Sequence, residues 1–130
     1  MRTRATATIE GKGWDEQPYD EREGVKLARA SVTQAYHGDI EGEAALEYLM
    51  AYRTDGAASF VGLERVVGRI GGRSGSFVLQ SSGVWRDGTA RAEQVVVPGS
   101  GTGELRGLRG EGSYEATQTE HPTWLDYWFE

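Results

Sequence analysis

Apolar and polar residues alternate along most of this chain with a period of two, the rhythm of a strand with one face buried. The first predicted strand covers Thr3 to Trp14, where Ala5, Ala7 and Ile9 alternate with Thr6, Thr8 and Glu10. An acidic loop is expected from Asp15 to Gly24. Further strands are expected over Val25–His37, Ile40–Arg53, Ala58–Arg69, Ser74–Trp85, Thr89–Val97, Arg109–Thr117 and Trp124–Phe129. Gly38-Asp39, Asp55-Gly56, Gly71-Gly72 and Asp87-Gly88 mark turns between them, because Gly and Asp tolerate the backbone angles of tight hairpins. The run Ala44–Ala51 is built of good helix formers. Its position between turn signals favours a strand there too. Eight evenly spaced strands joined by short turns predict an all-β, eight-stranded antiparallel closed barrel forming one domain over residues 1–130. A barrel hides strand edges, and its lumen is either packed or just wide enough for one small ligand.

Composition narrows the field. Glycine is over-represented, at 19 of 130 residues, but without the three-residue period of collagen. The net charge of −6 argues against nonspecific nucleic-acid binding, which needs a basic surface. With no Cys there is neither a disulfide nor a thiolate chemistry. No stretch approaches the ~18 apolar residues of a membrane-spanning helix. The N-terminus lacks the apolar core of a signal peptide, so a cytoplasmic protein is expected, with no membrane partner.

Familiar catalytic motifs are missing. Gly99-Ser100-Gly101-Thr102-Gly103 has no Lys-Ser/Thr ending and reads as a flexible turn rather than a phosphate loop. Gly72-Arg73-Ser74-Gly75 falls one residue short of a nucleophile elbow. His37 and His121 lie far apart, and His121, before Pro122, reads as a loop residue. No metal site and no cofactor are predicted.

Sorting each strand by face gives the candidate site. Phe60, Gly62, Glu64 and Val66 share one face of the fourth predicted strand, and Val61, Leu63, Arg65 and Val67 share the other. A strand apolar on both faces is covered on both sides, which suits a wall packed against other subunits and allows a homo-oligomer. Glu64 has two readings. In a confined space, desolvation raises its pKa and makes it a candidate catalytic acid or base, acting with Gln80 or Tyr48. Alternatively it is paired with an Arg of a neighbouring strand. Tyr48, Tyr52, Phe60, Phe77, Gln80, Ser81 and Tyr127 are the candidate substrate-binding residues. The aromatic run Trp124–Phe129 closes the barrel by packing, lines a pocket or forms an interface.

Four segments carry a resemblance: Gly38-Asp39-Ile40-Glu41-Gly42-Glu43, Phe60-Val61-Gly62-Leu63-Glu64-Arg65, Gly72 through Gln80, and Pro98 through Leu105. Together they resemble the domain-of-unknown-function family numbered 3224. The resemblance implies a small bacterial protein with a barrel similar to allene oxide cyclase, which holds apolar or polyketide-like substrates in its lumen. It therefore implies a barrel enclosing a hydrophobic small molecule, and a cofactor-free cyclase or isomerase of a natural-product-like substrate. The alternatives are a non-catalytic small-molecule-binding barrel, or a packed barrel acting through an oligomer interface. No catalytic residue carries over from the family. Ser81 stands where the resemblance leads one to expect His.

Overall fold

A computed structural model describes residues Met1–Glu130 as nine strands and no helix. They are β1 Thr3–Arg22, β2 Val25–Gly38, β3 Ile40–Tyr52, β4 Ala58–Ile70, β5 Arg73–Arg86, β6 Thr89–Val96, β7 Thr102–Gly103, β8 Leu108–Ala116 and β9 Pro122–Phe129. The helix-forming run Ala44–Ala51 is strand, because every one of its residues is held in register with both β2 and β4. Asp87-Gly88 and Gly71-Gly72 turn as expected, with positive φ at both residues of each pair. The acidic stretch Asp15–Arg22 is not a loop. It continues β1 to a third turn of the same kind at Glu23-Gly24 and pairs with Val25–Ser31 of β2. Its charges sit on a solvated ribbon, where a strand needs no apolar alternation.

The strands pair in the order β4-β3-β2-β1-β9-β8-β6-β5, with β4 also hydrogen bonded to β5. All these pairings are antiparallel. The expected closed, allene oxide cyclase-like barrel around a lumen is corrected to a ring of strands whose wall is interrupted. β9 pairs with β1 only over Thr3–Thr8, and one further bond joins the Ile9 amide to the His121 carbonyl. Beyond Ile9, β1 has no strand on that edge. β8 likewise outruns β9, whose last partner is Tyr114 opposite Thr123.

No hollow runs through the ring. One cluster of fourteen buried residues, including Ile9, Tyr36, Ile40, Val66, Ile70, Phe77, Leu108 and Leu125, fills one end. Leu105, fully buried, plugs that end from the glycine-rich segment after β6. That segment is not a free turn: Thr102–Gly103 forms β7 against Gly75–Ser76 of β5. A Cβ at Gly75 would strike the Thr102 carbonyl oxygen, so glycine is what lets the plug approach. A second cluster of eight, among them Val32, Leu46, Tyr48, Met50, Phe60 and Tyr114, occupies the other end.

The outer wall also departs from expectation. β4 is apolar on both faces, yet Val61, Leu63 and Val67 each leave more than half their surface in solvent. Nothing in the chain covers them.

Candidate functional site

Between the two apolar clusters lies a seam of buried polar side chains: Gln34, Glu64, Ser81, Gln94 and Thr123. Glu64 is 3% exposed. It has no cationic partner. The Gln34 amide donates to its Oε2 at 2.6 Å and the Tyr36 hydroxyl donates to the same oxygen at 2.9 Å. Burial raises the Glu64 pKa, and these two donors partly counter it. Burial and the neighbouring Glu64 push the Tyr36 hydroxyl well above its ordinary value. Of the two sequence readings, confinement in a low-dielectric site is the one observed, with neutral donors in place of an Arg.

Next to the seam, the second cluster stops short of filling the ring and leaves an apolar recess of about 380 Å³. Trp14, Tyr48, Met50, Phe60, Tyr114 and His121 are among its lining residues, and Gln34 brings the polar seam to its surface. Tyr48 sets its ring edge-on to Phe60, centroids 5.0 Å apart, and 6.2 Å from Trp14. The Tyr48 ring has room because residue 62 of the adjacent strand is glycine; a Cβ there would lie 2.5 Å from Tyr48 Cδ1. The hydroxyls of Tyr48 and Tyr114 share a hydrogen bond at 2.7 Å. Burial pushes Tyr48 up to about 12 and Tyr114 higher still. His121 packs on Tyr114 at 4.8 Å. Its Nε2 is buried without a hydrogen-bond partner, and burial pulls its pKa down to about 4, so the ring is neutral at pH 7.

At the mouth, Glu16 accepts from Trp14 Nε1 at 3.0 Å and from the Tyr52 hydroxyl at 2.7 Å. Burial first, then Glu16, pushes Tyr52 up to about 12. The recess is not sealed. Gly11, Lys12 and Gly13 line it from the free edge of β1, facing Ala116 and His121 across the gap in the wall.

The sequence-derived candidates divide. Tyr48 and Phe60 reach the recess, with Tyr52 at its mouth. Glu64 lies behind Gln34, one layer from the recess surface. Phe77 is in the opposite cluster, and Tyr127 packs beside Phe129 at that same end. Ser81 is buried and accepts from Gln94 at 3.0 Å. Gln80 is exposed, opposite Leu63, and so points away from Glu64. The expected Glu64–Gln80 pairing is corrected on that parity.

The expected function is corrected as well. A hydrophobic guest enclosed in a lumen, its cyclisation or isomerisation, and the simple small-molecule-binding barrel all require a closed wall around a hollow. The wall is interrupted, one end is packed solid, and the space left at the other end is a recess open through the gap in the wall, so no lumen encloses a guest.

Sequence reasoning overlooked Trp14, Glu16, Gln34, Tyr36 and Tyr114, and read His121 as a loop residue with no part in a site. Tyr36 and Gln34 had a legible signal, since they share a face of the second predicted strand with Val32. His121 had none, because its burial arises from the turn Thr117–His121 folding back beside Tyr114.

Comparison with known proteins agrees with the fold. No curated protein matches the chain. A crystal structure of a protein of unknown function from the DUF3224 family, from Shewanella oneidensis MR-1, superposes with a TM-score of 0.83 at 33% identity. The alignment covers 100% of this chain and 98% of that one. The family model described as "Protein of unknown function (DUF3224)" matches residues 5–127, and this chain, a ring of strands without the closed barrel of an allene oxide cyclase, belongs to that family.

Proposed function

We propose that this protein works by self-association, two copies joining through the outer faces of β3, β4, β5 and β6. The observation that carries this reading is the apolar stripe Leu49, Val61, Leu63 and Val67, each more than half exposed, continued by Val84 and Val95. Register places Leu49 beside Val61, and Val84 borders the same groove, while Gln80 of β5 stands between Leu63 and Val95. Large contiguous apolar patches on a monomer mark interaction sites.

The shape and charge of the stripe favour a second copy. Its centre is a shallow apolar groove of about 520 Å³ bounded by Leu27, Leu49, Val61 and Val84, with Tyr19 standing at one side. Arg65 rises from the middle of the stripe without an ion pair, although nine Arg– or Lys–carboxylate contacts occur elsewhere in the chain. Glu43 and Glu93, on the flanking strands, are also unpaired. A two-fold axis sets each copy's unpaired guanidinium against the other's carboxylates, as an isologous interface requires. A stable interface buries about 800 Å² per partner, within reach of a face four strands wide.

Light scattering coupled to gel filtration tests the reading. The expected mass is twice 14.2 kDa for the native chain. Leu63→Lys combined with Val61→Lys is expected to give a folded monomer, because both side chains are already solvent-exposed. A native chain that stays monomeric at about 100 μM, or a double variant that stays dimeric, overturns it.

A further inference from the structure

We infer that the gap in the ring wall is a docking slot for an extended, basic peptide, which adds as a strand to β1 and drops one aromatic or large apolar side chain into the recess. The inference goes beyond self-association and uses a different surface.

Three features meet at this gap. The first is an unpaired backbone edge. β1 is paired with β2 from Ala7 to Arg22, but its other edge has a partner only as far as Ile9. An edge of free N–H and C=O groups is a template for another strand. Natural sheets usually blunt such edges, and this one is blunted selectively. Register irregularities fall between Gly11 and Gly13 and between Pro18 and Asp20, and Pro18 has no amide hydrogen to give. Between them, Gly13–Gln17 keeps a regular register against Thr33–Arg29. That leaves an edge about five residues long, the length of a short recognition strand.

The second feature is the recess itself, which opens at this stretch. Side chains of an added strand alternate, so those on the inner side enter the space between Trp14, Tyr48, Phe60 and Tyr114. His121 Nε2, buried and unpartnered, waits there with one hydrogen bond to make. Main-chain pairing then supplies affinity and the aromatic recess supplies selectivity.

The third feature is charge, which says what the peptide carries. Around the slot stand Glu10, Asp15 and Glu16 on β1 and Glu120 across the gap, while Glu115 is already paired with Arg91; Asp20, Glu21 and Glu23 toward the strand's tip outnumber Arg22 and Lys26 there. Lys12 is the basic residue among the recess-lining groups, and it is already drawn to Glu10 at 3.3 Å. A Lys- or Arg-flanked peptide meets this acidic rim, and its binding weakens with salt.

The test uses the full chain, isotope-labelled, and a capped heptapeptide of sequence KTVFVTK. Titration is expected to shift the amide signals of Gly13–Gln17 and His121 and to slow hydrogen exchange at the edge amides of Gly13–Gln17. Replacing the central phenylalanine with alanine is expected to weaken binding by about tenfold, the weight of one buried aromatic anchor. A peptide N-methylated at alternate amides tests strand addition without touching the protein. It is expected not to bind. No shift at about 1 mM peptide, equal binding of the N-methylated peptide, or shifts confined to the Leu49–Val61–Leu63 face each overturn the inference. The Val61→Lys, Leu63→Lys variant is expected to bind the peptide unchanged, which separates this slot from the self-association surface.

Discussion

The two ends of the ring are built from the same strands and differ in how they finish. At one end, β4 and β5 run to a tight Gly71-Gly72 turn, β9 is paired on both sides, with β1 and with β8, and Leu105 seals the interior. At the other end β9 has not yet begun, β1 continues as an edge strand paired with β2 alone, and the interior surface is aromatic, hydroxylated and partly open. The first end is a stability element. The second tolerates an unpaired edge and an unpaired histidine nitrogen, features that lower stability and that recognition sites retain.

The largest expected effect tests that contrast directly. Phe77→Ala, in the sealed cluster, is expected to lower stability by about 3–5 kcal/mol, the cost of lost burial plus a cavity that cannot collapse. Phe60→Ala, beside the open recess, is expected to cost less, because the space it leaves joins one that is already open. Urea unfolding of both variants checks this, and equal losses would abolish the distinction between the ends.

An intermediate effect belongs to His121. Its native pKa of about 4 lies below its ordinary value of 6.5, so the unfolded chain binds the proton more readily. The resulting stability is present above pH 6.5 and is lost as pH falls toward 4. After allowance for its partial exposure, this is worth about 1–2 kcal/mol. His121→Gln is expected to flatten the stability curve between pH 6.5 and 4; an unchanged slope would place the ring in solvent.

Glu64 carries a smaller effect of opposite sign. Its native pKa is raised above 4.5 by burial, with Gln34 and Tyr36 moderating the shift. Its contribution is therefore complete below pH 4.5 and is lost as pH rises through the raised value. Thermal melts of Glu64→Gln across that range should lose less on going to neutral pH than the native chain does. Identical pH dependence would mean that the carboxyl is solvated.

Much of this was readable from local pattern, and the misreadings have specific causes. Alternation located the strands, and Asp87-Gly88 and Gly71-Gly72 located two hairpins, because period and turn chemistry are properties of neighbouring residues. The same reasoning placed Phe60, Glu64 and Val66 on one face, and that face is interior. Asp15–Arg22 was misread as a loop since nothing local distinguishes a polar ribbon from a polar turn. Phe77 and Tyr48 both face inward and look alike in sequence, yet they belong to opposite ends. Gln80 and Glu64 looked available to each other until strand pairing set their parity.

By itself the sequence determined that this chain is all strand, where most hairpins turn, and which side of each strand is apolar, for these depend on residues two to four positions apart. Only the tertiary structure decided that β9 stops short of Ile9, that Leu105 seals one end, and that His121 is buried beside Tyr114. The first depends on the register between β1 and β9, more than a hundred residues apart, and the others on β7 folding onto β5 and on the turn between β8 and β9; in each, a shift of a single residue exchanges inside for outside.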